Sequence, residues 1–139
     1  MKNRILDTAC ALIESLRPRS WLKNVFLFAG IIFARLWSPG AVLVTALGAL
    51  GFSLLAGSIY LVNDVADRRR DILHPDKRMR PVASGRLAPG TALAAAALLA
   101  FMVLSISFAR SRGFFTVCLA YFIMQLLYSF KLKHVPILD

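Results

Sequence analysis

Three stretches of this chain, 41–62, 88–109 and 113–130, are almost unbroken runs of apolar residues and carry no charge. A membrane-crossing helix needs about 20 such residues, so each is predicted to be a span. A fourth, 22–38 (LKNVFLFAGIIFARLWS), comes first in the chain and is the least apolar, because Lys23, Asn24 and Arg35 interrupt it. Its basic ends are long enough to reach the interfaces, and Trp21 and Trp37 stand where belt residues stand, so it too is predicted to span. Arg110, Ser111, Arg112 and Gly113 form the turn between the last two spans. Near the start, Ile5, Leu6, Ala9, Leu12, Ile13 and Leu16 recur at helical spacing, with Asp7 and Glu14 between them. That pattern predicts an amphipathic helix lying on the membrane surface rather than a signal peptide.

These elements make an all-α fold: a polytopic membrane helical bundle of about four transmembrane helices plus an N-terminal interfacial helix, forming one membrane domain over 1–139. Gly48, Gly51, Ser53, Gly57 and Ser58 in the second span, and TALAAAALLA at the start of the third, suit helices that approach closely. Composition agrees: 58% of the 139 residues are hydrophobic, against about 45–50% in soluble domains.

The formal charge of +10 would admit nucleic acid as a partner. The basic residues lie between apolar runs, however, and membrane topology accounts for them. With the N-terminus inside, the cytoplasmic segments hold fourteen Lys and Arg, including Arg68, Arg69, Arg70, Lys77, Arg78, Arg80 and Arg86, and the outer segments three (Arg35, Arg110, Arg112). The positive-inside rule therefore puts the N-terminus and the 63–87 segment on the cytoplasmic side. A bacterial-type plasma (inner) membrane is the expected location. Cys10 and Cys118 have neither disulfide nor zinc-ligand spacing and read as small apolar fillers.

Four of the seven acidic residues (Asp64, Asp67, Asp71, Asp76) fall within thirteen positions, where the second span meets a basic loop. Asp64, Asp67 and Asp71 are spaced i, i+3, i+7. If the helix continues past Val62 they share one face, with Asn63 beside it. Like charges so placed need compensation. Local ion pairs, Arg68 with Asp64 and Arg70 with Asp67, are one solution; a divalent cation is the other. Hard oxygen ligands suit Mg²⁺, which takes one or two carboxylates with water and substrate phosphates.

The loop that follows, HPDKRMRPVASGR, brings Lys77, Arg78, Arg80 and Arg86 beside Ser84 and Gly85. Lys and Arg bind phosphate oxygens. Pro75, Pro81 and Pro89 keep the segment from becoming one long helix and brace it. Basic cytoplasmic loops are common for topological reasons alone, but carboxylates for a metal next to cations for phosphates make a coherent Mg²⁺-diphosphate site. Metal and cations would offset the charge of a departing diphosphate, and the bundle could hold a lipid tail.

At these residues the chain resembles the UbiA superfamily of intramembrane prenyltransferases. Asn63-Asp64-Val65-Ala66-Asp67-Arg68-Arg69-Arg70-Asp71 fits the family's first aspartate-rich motif, N-D-x-x-D-x-x-x-D, and Lys77-Arg78, Arg80-Pro81 and Ser84-Gly85-Arg86 fit its basic loop. Within the superfamily it is most similar to the decaprenyl-phosphate phosphoribosyltransferase branch. The residues that carry this are 16–24 (LRPRSWLKN), 60–64 (YLVND), His74-Pro75 and 128–134 (YSFKLKH). The resemblance implies Mg²⁺ held through Asp64, Asp67 and Asp71, with Asn63 beside them, as the catalytic and metal-binding centre. It implies donor phosphates on Lys77, Arg78 and Arg80, and an acceptor phosphate that attacks the ribose anomeric carbon as diphosphate leaves. Lys23 and Tyr128 are further substrate-binding candidates. Tyr128, Lys131 and Lys133 would line the mouth of the site or anchor the chain at the interface.

Members of the family have about nine spans and a second aspartate-rich motif. This chain is therefore expected to be the N-terminal part of a larger bundle, inactive alone and completed by a missing C-terminal half or a partner chain. Its expected partners are a polyprenyl lipid, a diphosphate donor and the membrane, with no nucleic acid. Two other readings stay open: prenyl transfer from a polyprenyl diphosphate to an aromatic acceptor, and a non-catalytic membrane fragment that binds anionic lipid or a partner bundle.

Overall fold

The structure, a computed structural model, describes residues 2–130, with side chains from Ile5 onward. Every regular element among them is helical. They run α1 (Lys2–Ser15), a 3-10 helix (Pro18–Leu27), α2 (Phe28–Phe33), α3 (Pro39–Ala66), α4 (Arg68–Leu73), a 3-10 turn (Lys77–Met79), α5 (Pro89–Arg110) and α6 (Arg112–Phe130).

α3, α5 and α6 are long and apolar enough to cross a membrane, and they match the second to fourth predicted spans. Local chemistry sets their ends. Ser38 caps α3, its hydroxyl accepting from the Ala41 amide at 3.1 Å, and Pro39 occupies the first turn, where its missing N–H costs nothing. Pro89 plays the same part in α5. The turn between α5 and α6 reduces to Ser111, which is extended (φ −157°) and whose hydroxyl accepts from the Phe114 amide.

The segment 22–38 is not a continuous α-helix. It begins as the 3-10 run, passes into the six residues of α2, and turns through Arg35 at φ 54°. Its polar residues explain the departure. The Asn24 amide donates to the Ser53 hydroxyl of α3 at 2.7 Å, so this stretch is held by side-chain bonding to a neighbour. The segment nevertheless runs antiparallel along α3. Arg17, just before the segment, reaches Asp64 and Asn24 reaches Ser53, so the contacts on α3 step back from 64 to 53 as the chain advances from 17 to 24.

The helices pack through small residues. Ala92, Ala96, Ala100, Val103 and Ser107 are the buried row of α5, spaced three or four apart so that they share one face. Towards one end, Leu55, Ala100, Val103 and Cys118 form a buried cluster, flanked by Phe52 and Tyr121, whose rings lie 4.6 Å apart and are tilted by 43°. At the other, Ala11 of α1, Leu61 of α3, Val82 and Leu87 of the basic loop, and Ala92 and Ala96 of α5 form a second. This second cluster positions the site. Val82 and Leu87 have no exposed surface, and burying such side chains is worth roughly 1.5–3 kcal/mol each, which pins the loop to the bundle. α1 is helical, as its periodicity predicts; it packs on the bundle through Ala11 and Ser15, while Ile5, Leu6 and Ile13 of its predicted apolar stripe are exposed.

Candidate functional site

α3 continues past Val62 as far as Ala66, and Asp67 stands at the junction with α4. The turn is nearly unbroken there: the Asp67 amide donates to the Asn63 carbonyl (2.8 Å) and the Asp71 amide to the Asp67 carbonyl (2.9 Å). Asp64 and Asp71, two turns apart, consequently share a face. Both are buried, at 2% and 3% exposure. Asp67 is half-buried.

The counter-charges come from elsewhere in the chain. Arg80 Nη1 lies 3.3 Å from Asp64 Oδ1 and 2.8 Å from Asp71 Oδ2. Arg17 Nη2 donates to the same Asp64 Oδ1 at 2.8 Å. The local pairing of Arg68 with Asp64 does not form; Arg68 Nε instead donates to the Val82 carbonyl at 3.2 Å and ties α4 to the loop. Two buried carboxylates thus converge on guanidinium groups delivered by the loop and by the turn after α1.

The loop is ordered by its own bonds. His74 Nδ1 accepts from the amides of Asp76 and Lys77 (3.2 and 3.4 Å), which starts the 3-10 turn. Gly85 adopts φ 81°, a conformation glycine reaches without strain. Arg86 then forms a bidentate pair with Glu14 of α1 (2.8 and 2.9 Å) and also donates to the Met79 carbonyl. Those bonds to Glu14 raise the Arg86 pKa above its ordinary value. α1 therefore holds the loop from one side while Val82 and Leu87 hold it from the other.

Of the sequence candidates, Asp64, Asp71 and Arg80 are brought together. Asn63 is half-buried on α3 next to Asp64, and Lys77 and Arg78 are exposed at the turn leading to Arg80. Lys23 lies exposed on the 3-10 segment and Tyr128 on the last turn of α6; no ion pair or hydrogen bond among the described residues joins either to Asp64 or Asp71. Lys131 and Lys133 fall outside the described residues. Arg17 was not a sequence candidate. Its signal was faint: one of two arginines flanking Pro18, in the LRPRSWLKN stretch. A cavity of about 640 Å³ lies between α1 and the start of α5, lined by Asp7, Cys10, Arg86 and Thr91 among others, and does not include the aspartates.

As to Mg²⁺, no group of three or more ligating side chains stands close enough together among the described residues to hold an ion. Asp64 and Asp71, however, already converge on one positive charge, and Mg²⁺ takes one or two carboxylates plus water and substrate phosphates. The donor set fits in kind and number, provided Arg80 gives way.

A match to the model of the UbiA prenyltransferase family covers residues 23–139. The chain belongs to the UbiA prenyltransferase family. It is 35% identical over 138 residues to the decaprenyl-phosphate phosphoribosyltransferase of Corynebacterium glutamicum, covering 96% of this chain and 42% of that protein. It is 36% identical over 133 residues to the enzyme of the same name from Mycolicibacterium smegmatis, covering 92% and 42%. Over a shorter stretch of 63 residues it is 49% identical to protoheme IX farnesyltransferase 1 of Pseudomonas entomophila, covering 45% and 21%. This UbiA-family chain thus spans less than half the length of these curated relatives. With three apolar helices of spanning length, it is a multi-pass membrane protein.

Proposed function

We propose that the chain forms the first half of the active site of a UbiA-type transferase acting on a Mg²⁺-diphosphate donor, with 5-phosphoribosyl diphosphate as donor and a polyprenyl phosphate as acceptor. The observation that carries this is the convergence of buried Asp64 and Asp71 on Arg80, an arginine supplied by a basic loop. The similarity to phosphoribosyltransferases over nearly the whole chain favours this donor.

Asp64 and Asp71, with Asp67 at the helix junction and Asn63 beside them, would hold Mg²⁺. When bound, the ion would supply positive charge against the diphosphate oxygens. Lys77, Arg78 and Arg80 bind the donor phosphates as charge-assisted donors. An acceptor phosphate oxygen forms the new bond to the ribose anomeric carbon, while the C–O bond to diphosphate breaks and diphosphate keeps the electron pair. The basic loop neutralises charge as it accumulates on that leaving group, which lowers the barrier. The loop faces the cytoplasm and the apolar helices hold the lipid tail, in a bacterial-type inner membrane. The chemistry needs a further bundle, from a longer chain or a partner, to complete the site.

The relative that transfers a farnesyl group favours a second reading, in which a polyprenyl diphosphate is the donor and an aromatic ring the acceptor. Membranes containing the protein, given both donors with distinct radiolabels, Mg²⁺ and both acceptors, separate the two. Labelled polyprenyl phosphoribose is expected. A prenylated aromatic product without it would sink the first reading.

A further inference from the structure

We infer that Arg17 is a positioning residue, which holds Asp64 fixed while Arg80 exchanges Asp71 for the phosphates of the ligand. This rests on the metal-diphosphate reading above. Asp64 Oδ1 receives two guanidinium groups, Arg17 at 2.8 Å and Arg80 at 3.3 Å, whereas the ion pair of Asp71 among the described residues is with Arg80, at 2.8 Å. A buried carboxylate stripped of its partner is strongly destabilising. If Arg80 turns to a phosphate, Asp64 keeps its shorter ion pair and Asp71 is released to meet an incoming cation. The site can then change partners at one carboxylate at a time.

Arg17 is built to stay. Its backbone is left-handed (φ 51°, ψ 62°), a conformation that persists in a non-glycine residue only where its surroundings enforce it. Its guanidinium lies 4.5 Å from the centre of the Tyr60 ring, a cation–π contact that leaves the fork free to bond. Its neighbour Leu16 packs so tightly on Gly57 that a Cβ there would meet Leu16 Cδ2 at 2.8 Å. Tyr60, Gly57 and Asp64 lie on one face of α3, which thus fixes both ends of the pair. Arg80 has a different setting, in a loop beyond a three-residue 3-10 turn.

Double-mutant cycles on the full chain in nanodiscs test this, read by thermal unfolding. The cycles pair Arg17→Gln with Asp64→Asn, and Arg80→Gln with Asp71→Asn. Without ligand, both are expected to couple by on the order of tenfold or more in the folding equilibrium. The ligand arm uses the wild-type chain, whose site is intact: on adding Mg²⁺ plus inorganic diphosphate, the guanidinium NMR signal of Arg80 should shift and that of Arg17 should stay. A shift of Arg17, or a ligand response that leaves Arg80 unmoved, overturns the division of roles. In parallel, folded Arg17→Gln should bind Mg²⁺-diphosphate at least about tenfold more weakly, with Arg17→Lys recovering part of it; wild-type affinity in Arg17→Gln would leave Arg17 a stabilising residue only. If the wild-type chain does not respond to Mg²⁺-diphosphate at all, the metal-diphosphate reading fails. Arg17 is then judged on the ligand-free cycle, where absence of 17–64 coupling overturns its fixed pairing.

Discussion

Asp64 and Asp71, seven residues apart, meet at a single atom, Arg80 Nη1, at 3.3 and 2.8 Å. Removing the guanidinium leaves two buried like charges with Arg17 as the neighbouring cation. Arg80→Gln is expected to destabilise the chain by about 3–5 kcal/mol, the usual loss when one partner of a buried pair is removed. Adding Asp71→Asn should restore a good part of that. Thermal unfolding of the single and double variants in one detergent checks both; a neutral Arg80→Gln would mean that the carboxylates are compensated by other groups.

Among the glycines, Gly57 has the tightest surroundings. Gly57→Ala would put its methyl 2.8 Å from Leu16 Cδ2 and 3.5 Å from the Leu16 backbone, so overpacking of about 1–3 kcal/mol is expected. Gly48→Ala and Gly51→Ala meet ordinary contacts at 3.8 Å. They should be neutral or raise stability by a few tenths of a kcal/mol, since alanine is the better helix former. The contrast between Gly57 and the other two in a melting series is the measurement.

His74 organises the turn that leads to the basic loop by accepting two amides on Nδ1. Asparagine can offer an oxygen to nearby amides in the same way, whereas alanine cannot. His74→Ala is expected to speed hydrogen exchange at the amides of Asp76 and Lys77 by about tenfold, with His74→Asn closer to wild type. Equal exchange in all three would show that the turn holds without the ring.

The orientation proposed here can be read from thiols. Cys10 is exposed on α1 and Cys118 is fully buried. A membrane-impermeant maleimide should label Cys10 in inside-out vesicles and leave Cys118 unlabelled until the protein unfolds. Labelling of Cys10 in right-side-out vesicles would invert the topology.

Much of the fold was legible because long uncharged runs have few alternatives in a membrane. α3, α5 and α6 lie within four residues of their predicted ends, and α1 has the apolar spacing read from the chain. The aspartates were legible as a helical face, and Asp64 and Asp71 keep that relationship. Two things escaped. The 22–38 segment has the composition of a poor span, but its 3-10 path depends on Asn24 finding Ser53, a contact 29 residues away. The partners of Asp64 escaped for the same reason. Arg68 is four residues on and was the natural choice, while Arg17 and Arg80 arrive only once α1 and the loop have packed. Periodicity reports which residues share a face, but not what will stand opposite.

The contact between Asn24 and Ser53 bears on how the protein is made. A segment carrying Lys23 and Asn24 enters hydrocarbon at a penalty, and its 3-10 backbone bonds are poorer than those of an α-helix. Its polar partner lies on α3, which leaves the ribosome later. The 22–38 segment should accordingly wait at the interface with α1 and insert only after α3 is in place, so that assembly in the bilayer runs against the order of translation.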